Sequence, residues 1–263
     1  MHDSRETLVA RLRNDHFPRS ATYDPQWVLD NQMGPHVLWL TEALIQAMPL
    51  RPGMRVLDLG CGRALSSIFL ARECGVQVWA TDLWIAASDN WQRIGAAGMA
   101  EQVFPIWAEA HALPFAETFF DAIVSVDAYH YFGTADLYIG YLSAFLKPEG
   151  VIGIVVPGLR EELAGAPPTH LQACWEWDFC TFHSPHWWRR HWEKTGKVVV
   201  DVADMLPEGW RHWLQWEAVQ ADAAAAQRWT EMLRQDAGQH LGFVRLVAHR
   251  PPEVPQTAHG AGR

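Results

Sequence analysis

The chain has 263 residues, 49% hydrophobic and 19% charged, with a formal net charge of −9. It is long enough for one elaborated domain with a substantial core, and its acidic balance argues against broad binding to a phosphate backbone, which needs a basic face. The longest apolar runs, such as 151–156, are far too short to span a bilayer, and the opening MHDSRETLVARLRND lacks the apolar stretch of a secretory signal, so cytoplasmic residence without membrane contact is expected.

Residues 1–20 read as weakly helical, then irregular. Asp24-Pro25 is a helix start, an N-cap acid followed by proline at the first helical position. That helix breaks at Gly34-Pro35 and resumes with Val37, Leu40, Leu44 and Met48, an apolar stripe at helical spacing. Short apolar or β-branched runs come next, at 54–60, 76–82, 103–107, 121–127 and 151–158. They are separated by stretches of helical length such as 64–74 and 135–146. Strands alternating with helices imply a parallel sheet covered on both faces.

Further along, the sequence predicts a Pro- and aromatic-rich insertion at 159–184 and a Trp-rich helix at 186–194. A strand at 197–203, a second aromatic stretch at 205–217, a helix at 222–235 and a last strand at 242–248 follow. The organisation expected is an N-terminal helical cap (1–48), a main domain (49–250) and a disordered tail (251–263). Nine of the fifteen tryptophans lie at or beyond Trp175, so the aromatic surplus belongs to the C-terminal third. Cys61, Cys74, Cys174 and Cys180 form no CxxC pair and read as buried free thiols.

The sharpest signal is Val56-Leu57-Asp58-Leu59-Gly60-Cys61-Gly62, a buried strand running into an acid and two glycines before a helix. Glycines there allow a tight turn and let a ligand approach the backbone. A dinucleotide-binding turn would want a small residue where Leu65 stands, and Asp58 would sit too close to a pyrophosphate. No Gly-Lys-Ser/Thr follows, which excludes a P-loop. A ligand with positive charge near the turn suits Asp58 better.

In this run the chain resembles the class I S-adenosylmethionine (SAM)-dependent methyltransferases, in particular the small-molecule-acting, type 11-like members. VLDLGCG is similar to their first motif, whose acid and glycines border the methionine part of SAM. Thr81-Asp82-Leu83 resembles their second, where an acid binds the ribose hydroxyls and the next residue packs on adenine. Glu109-Ala110 opens a segment, continuing through Leu113-Pro114-Phe115 to Phe120-Asp121, that resembles the family's adenine-recognition stretch. Lys147-Pro148-Glu149-Gly150 looks like the turn before strand five. The sequence departs from the pattern at Ala64, where a third glycine is common, and at Glu109, where Asp is commoner.

The resemblance implies an α/β, Rossmann-like, seven-stranded and mostly parallel sheet with helices on both faces, an N-terminal helical cap and aromatic-rich insertions. It implies SAM as cofactor, with S-adenosylhomocysteine (SAH) as product, held by Asp58, Gly60, Cys61, Gly62, Asp82, Leu83, Glu109, Ala110 and Ser125. His130, in the loop after strand four, is the candidate general base, and a histidine that only bonds loop backbone is the alternative. Tyr23, Tyr129, Trp175, Trp177, His183 and Trp187 are candidate acceptor contacts, and Asn31 and Gln32 on the N-terminal arm could also meet SAM or acceptor. Aromatic walls would suit a planar or amine-bearing small molecule, although these rings could equally fill a satellite core. His183-x-x-His186 near Cys180 lacks a second ligand pair, so no metal is expected. An RNA or protein methyltransferase, or a SAM-binding protein without catalysis, are the competing functions.

Overall fold

The computed structural model describes residues 5–220 and 223–252. Most of the expected tail, 253–263, lies outside the described residues, as do the first four residues of the cap. The cap consists of α1 (Arg5–Leu12), α2 (Pro25–Asn31) and α3 (Val37–Ile45). Asp24 caps α2 as expected, its side chain accepting from the N–H groups of Gln26 and Trp27. β1 (Arg55–Leu59), α4 (Leu65–Cys74), β2 (Gln77–Asp82), α5 (Ala87–Ala96), β3 (Val103–Trp107), β4 (Phe120–Val126), α6 (Tyr138–Ser143) and β5 (Leu146–Leu159) follow. The C-terminal third adds α7 (Thr169–Gln172), α8 (Pro185–Glu193), β6 (Val199–Met205), α9 (Gly209–Glu217), α10 (Ala223–Asp236) and β7 (Leu241–His249).

The seven strands form one sheet in the order β3-β2-β1-β4-β5-β7-β6. The first five run parallel, while β7 pairs antiparallel with both β5 and β6. Strand alternation sends neighbouring residues to two cores. Val56, Ala122, Val124 and Val155 join one with α3 and α4. Leu57, Leu59, Ile123, Ile152 and Ile154 join the other with Ile139 of α6 and Trp188 and Trp192 of α8. Burial on both faces is why these strands read as continuous apolar runs rather than alternating ones.

Three expectations shift. β5 starts five residues earlier than 151, because Leu146 already pairs with Phe120 across a bulge. The aromatic stretch at 205–217 is largely the helix α9, whose Trp213 and Trp216 are buried. All four cysteines are free, but of them only Cys61 is buried, while Cys74 and Cys174 are half-buried and Cys180 is exposed. No helix among the described residues is long and apolar enough to cross a membrane.

The cap shares a continuous core with the sheet, through Leu8, Phe17, Tyr23 and Val28. Its register is fixed by Glu42 on α3, only 3% exposed. Glu42 accepts from the N–H groups of Arg19 (3.0 Å) and Ser20 (2.8 Å) and from Ser20 Oγ (2.6 Å). Loss of this acceptor strands three donors beside a buried helix. Glu42→Ala should therefore lower stability by about 2–4 kcal/mol, read as a shifted urea midpoint at unchanged slope.

Candidate active site

The strand order reverses between β1 and β4, and in such sheets ligands bind beyond the carboxyl ends of the strands at that reversal. There the chain leaves β1 through three left-handed residues, Gly60 (φ 74°), Gly62 (φ 52°) and Ala64 (φ 61°). Ala64 thus keeps the glycine conformation at the position where the family pattern has a third glycine, at a cost of about 1–2 kcal/mol. The Gly60 N–H donates to Thr81 O (2.8 Å), and the Gly62 N–H donates to Asp82 Oδ2 (2.8 Å). A Cβ on Gly60 would lie 2.4 Å from Ala128 Cβ, and one on Gly62 would lie 2.9 Å from Met33 Sδ. Both positions need glycine because the loop after β4 and the N-terminal arm press against the turn.

Asp58 lies beneath this turn and does not line the cleft. Its Oδ2 accepts from Ser66 Oγ and Ser67 Oγ, both at 2.6 Å, which ties β1 to the first turn of α4. Its Oδ1 is buried with no partner, and burial raises its pKa to about 6. Asp58 therefore offers negative potential from below rather than the direct contact expected of it.

The cleft above the turn encloses about 360 Å³. Gly60, Cys61, Gly62, Asp82, Leu83, Glu109 and Ala110 all line it, as the sequence pattern implied. The Asp82 carboxylate is also a brace, since its Oδ1 accepts from the N–H groups of Trp84 (2.7 Å) and Ile85 (2.9 Å). Glu109 pairs with His111, at 2.7 Å to Nδ1 and 2.9 Å to the backbone N–H, and this pairing lowers its pKa. Ser125 is a correction. It is fully buried and its hydroxyl donates to Leu59 O at 2.7 Å, tying β4 to β1 away from the cleft.

The expected acceptor contacts need correcting as a group, because none of the six lines the cleft. Tyr23 is buried and donates to Glu73 Oε1 (3.1 Å). Tyr129 is fully buried against Phe132, Tyr138, Trp188 and Trp192. Trp175 packs on Phe179, and Trp177 is 89% exposed. His183 stacks on Trp187 at 3.5 Å and bonds to Glu162, so it holds the insertion together and joins no metal-ligand set with His186. His130 is also displaced from its expected post. It is 1% exposed, lies against Tyr131 and Phe182, leaves Nδ1 unpartnered and does not line the cleft. Burial depresses its pKa to about 3, which makes it a weak base.

Among the described residues, ligand-type atoms converge elsewhere, at His170, Asp236 and His240. There the buried Asp236 carboxylate is saturated by the two imidazoles and by the N–H groups of His240 and Leu241.

The cleft takes its remaining walls from the arm segment 31–35, from Val37, Trp84 and His111, and from 126–128, Tyr131 and Phe132. Asn31 and Gln32 were foreseen. Asp127 was not, although its place at the end of β4 was visible in the sequence. It holds φ 55°, fixed by its N–H donating to Val155 O (2.8 Å). Burial, then the nearby Glu217, raise its pKa to about 8, and burial raises that of Glu217 to about 7.

A carboxyl group whose folded pKa exceeds its unfolded value holds a proton that the unfolded chain has lost. Its stabilising contribution is complete below about pH 4 and disappears as the pH rises through about 8. The melting temperature of the wild type should therefore fall relative to Asp127→Asn between about pH 4 and pH 8 and level off above that. Scanning calorimetry of both proteins checks this, and a constant offset across that window would contradict the assignment.

The turn, the orphaned Asp58 Oδ1 below it and Asp82 beside it fit a ligand with a cationic end and a ribose. Comparison with known proteins agrees. Residues 56–150 match the family model described as a methyltransferase domain. Over 169 residues the chain is 28% identical to methyltransferase GfsG of Streptomyces halstedii, covering 62% of this chain and 57% of that protein. It is 24% identical to the sterol 24-C-methyltransferase of Yarrowia lipolytica over 50% of this chain and 35% of the relative. The chain thus spans about half, or less, of the length of these curated relatives. Among solved structures, phosphoethanolamine N-methyltransferase 2 of Haemonchus contortus in complex with SAM shares the fold. Its TM-score is 0.72 at 18% identity, over 93% of this chain and 60% of that one. The glycine turn, the acid ending β2, the strand order and the family match agree, and residues 56–150 carry a methyltransferase domain of the class I, SAM-dependent kind.

Proposed function

We propose that the protein transfers a methyl group from SAM to a small-molecule acceptor with an apolar body. The observation that carries this reading is the single cleft in which the cofactor motifs face an apolar rim. Met33, Leu83, Trp84 and Tyr131 are each 44–73% exposed, and all four line it. Exposed apolar side chains gathered at the mouth of a pocket favour an apolar guest. The sterol-methylating relative is consistent with this. The charge of −9 supports a small acceptor over RNA.

When bound, SAM supplies a methyl group made electrophilic by its sulfonium. The chain's part is binding, alignment and exclusion of water. Asp82 would accept from the ribose hydroxyls, Leu83 would pack on the adenine, and Glu109 with the Ala110 N–H would meet the adenine edge. The turn 60–62 would hold the methionine end, with Asp58 beneath it countering positive charge.

Asp82→Ala should weaken SAH binding by about 1.5–3 kcal/mol by titration calorimetry, the usual worth of hydrogen bonds to a charged group. Unchanged affinity in a folded variant would overturn this assignment. With methyl-labelled SAM and fractionated bacterial extract, label should enter the low-molecular-weight fraction. Label mainly in tRNA, rRNA or protein would favour a macromolecular acceptor, and SAM binding without any transfer would favour a binding protein.

A further inference from the structure

We infer that the acceptor is an amine, an apolar body carrying a protonatable nitrogen, and that the Asp127 carboxylate receives that nitrogen inside the cleft. The inference rests on the methyl-transfer reading above and names the chemistry of its second substrate.

Three features of Asp127 carry it. Its side chain lines the cleft, yet its carboxylate oxygens make no hydrogen bond or ion pair among the described residues. Carboxylates packed into this protein are saturated, as Asp82 and Asp236 are, whereas Asp127 is half-buried on the cleft wall and unpaired, which leaves it open to a ligand. The backbone is also committed to presenting it. Asp127 occupies the left-handed region, a strain that persists only where the surroundings enforce it. Opposite it the arm has no side chain, and a Cβ on Gly34 would fall 2.3 Å from Asp127 Oδ2.

The surroundings select a cation. Glu217 at the end of α9 is buried, and its field acts on Asp127. Glu217 accepts one hydrogen bond, from Trp213 Nε1 at 3.2 Å. Tyr131 is the titratable neighbour from Asp127's own loop, and the cation on the cleft wall, Arg63, donates to Asp30 O at 3.0 Å. A carboxylate ligand would bring negative charge to two acids whose burial already favours their protonated forms, and an alcohol would stabilise neither carboxylate. An ammonium group relieves both acids at once. The methionine end of the cofactor would instead meet the turn 60–62, with Asp58 beneath it.

The same carboxylate can take the proton that must leave. The N–H bond of the ammonium breaks, the nitrogen keeps the electron pair, and the proton forms an O–H bond on Asp127. The result is a neutral amine beside a neutral carboxylic acid. Burial favours that neutral acid, and its pKa of about 8 lies roughly two units below that of an alkylamine.

The test is titration calorimetry of octylamine, octanol and octanoate into the SAH-saturated protein. Octylamine should bind at least about ten-fold tighter than the other two. Asp127→Asn should abolish that preference while leaving SAH affinity within about two-fold, and Glu217→Gln should weaken it. In the wild type near neutral pH, octylamine binding should release a proton, read from buffers of different ionisation enthalpy. This measurement decides the matter if the Asp127 variant does not fold.

Equal binding of the three probes, or a preference that survives Asp127→Asn, would overturn the inference. So would a ten-fold loss of SAH affinity in folded Asp127→Asn, which would give the carboxylate to the cofactor. Failure of the wild type to bind SAH at all would instead remove the methyl-transfer reading itself.

Discussion

The hydrogen bond from the Gly62 N–H to the Asp82 carboxylate is the constraint on which the rest of the site depends. It joins the turn leaving β1 to the end of β2, and the same carboxylate gathers the N–H groups of Trp84 and Ile85. One side chain therefore fixes two loops whose backbone conformations would otherwise be free. Below, Asp58 binds the two serines that open α4, so helix and strand cannot slide past each other. The turn is in this sense already built, with little ordering left to oppose the binding of a ligand.

The residues expected to hold the cofactor gather on one cleft because they sit where a strand ends and the backbone must turn. Glycine spacing after β1 and an acid ending β2 are local features, and local features survive in a one-dimensional reading. Asp58 and Ser125 were misjudged for a related reason. Both belong to strands packed on each face, so a polar side chain there can serve a neighbouring element as readily as a ligand. The serine went to Leu59 O and the aspartate to α4.

The rest of the cleft was not legible, because its walls come from segments about 95 residues apart, 31–37 and 126–132. The aromatic insertion misled for a physical reason: large rings find one another. Trp175, Phe179, Phe182 and Trp229 pack together, and Trp187 is sandwiched between His183 and His191. In the short 3₁₀ turn 129–131, Tyr129 goes inward and Tyr131 outward. His130 follows Tyr129 into the interior, and composition carries no information about that choice.

The contact between Gly34 and Asp127 has a consequence for how the chain can change over generations. Any side chain at position 34 would collide with the acid at 127. The carbonyl of the same glycine is held by Trp216, next to Glu217, so the arm cannot simply step back. The two positions are therefore coupled. A descendant that enlarges residue 34 must turn aside or shorten the side chain at 127, and either change moves the carboxyl group in the cleft. Drift in this lineage is thus channelled, and acceptor preference is the trait that would move with it.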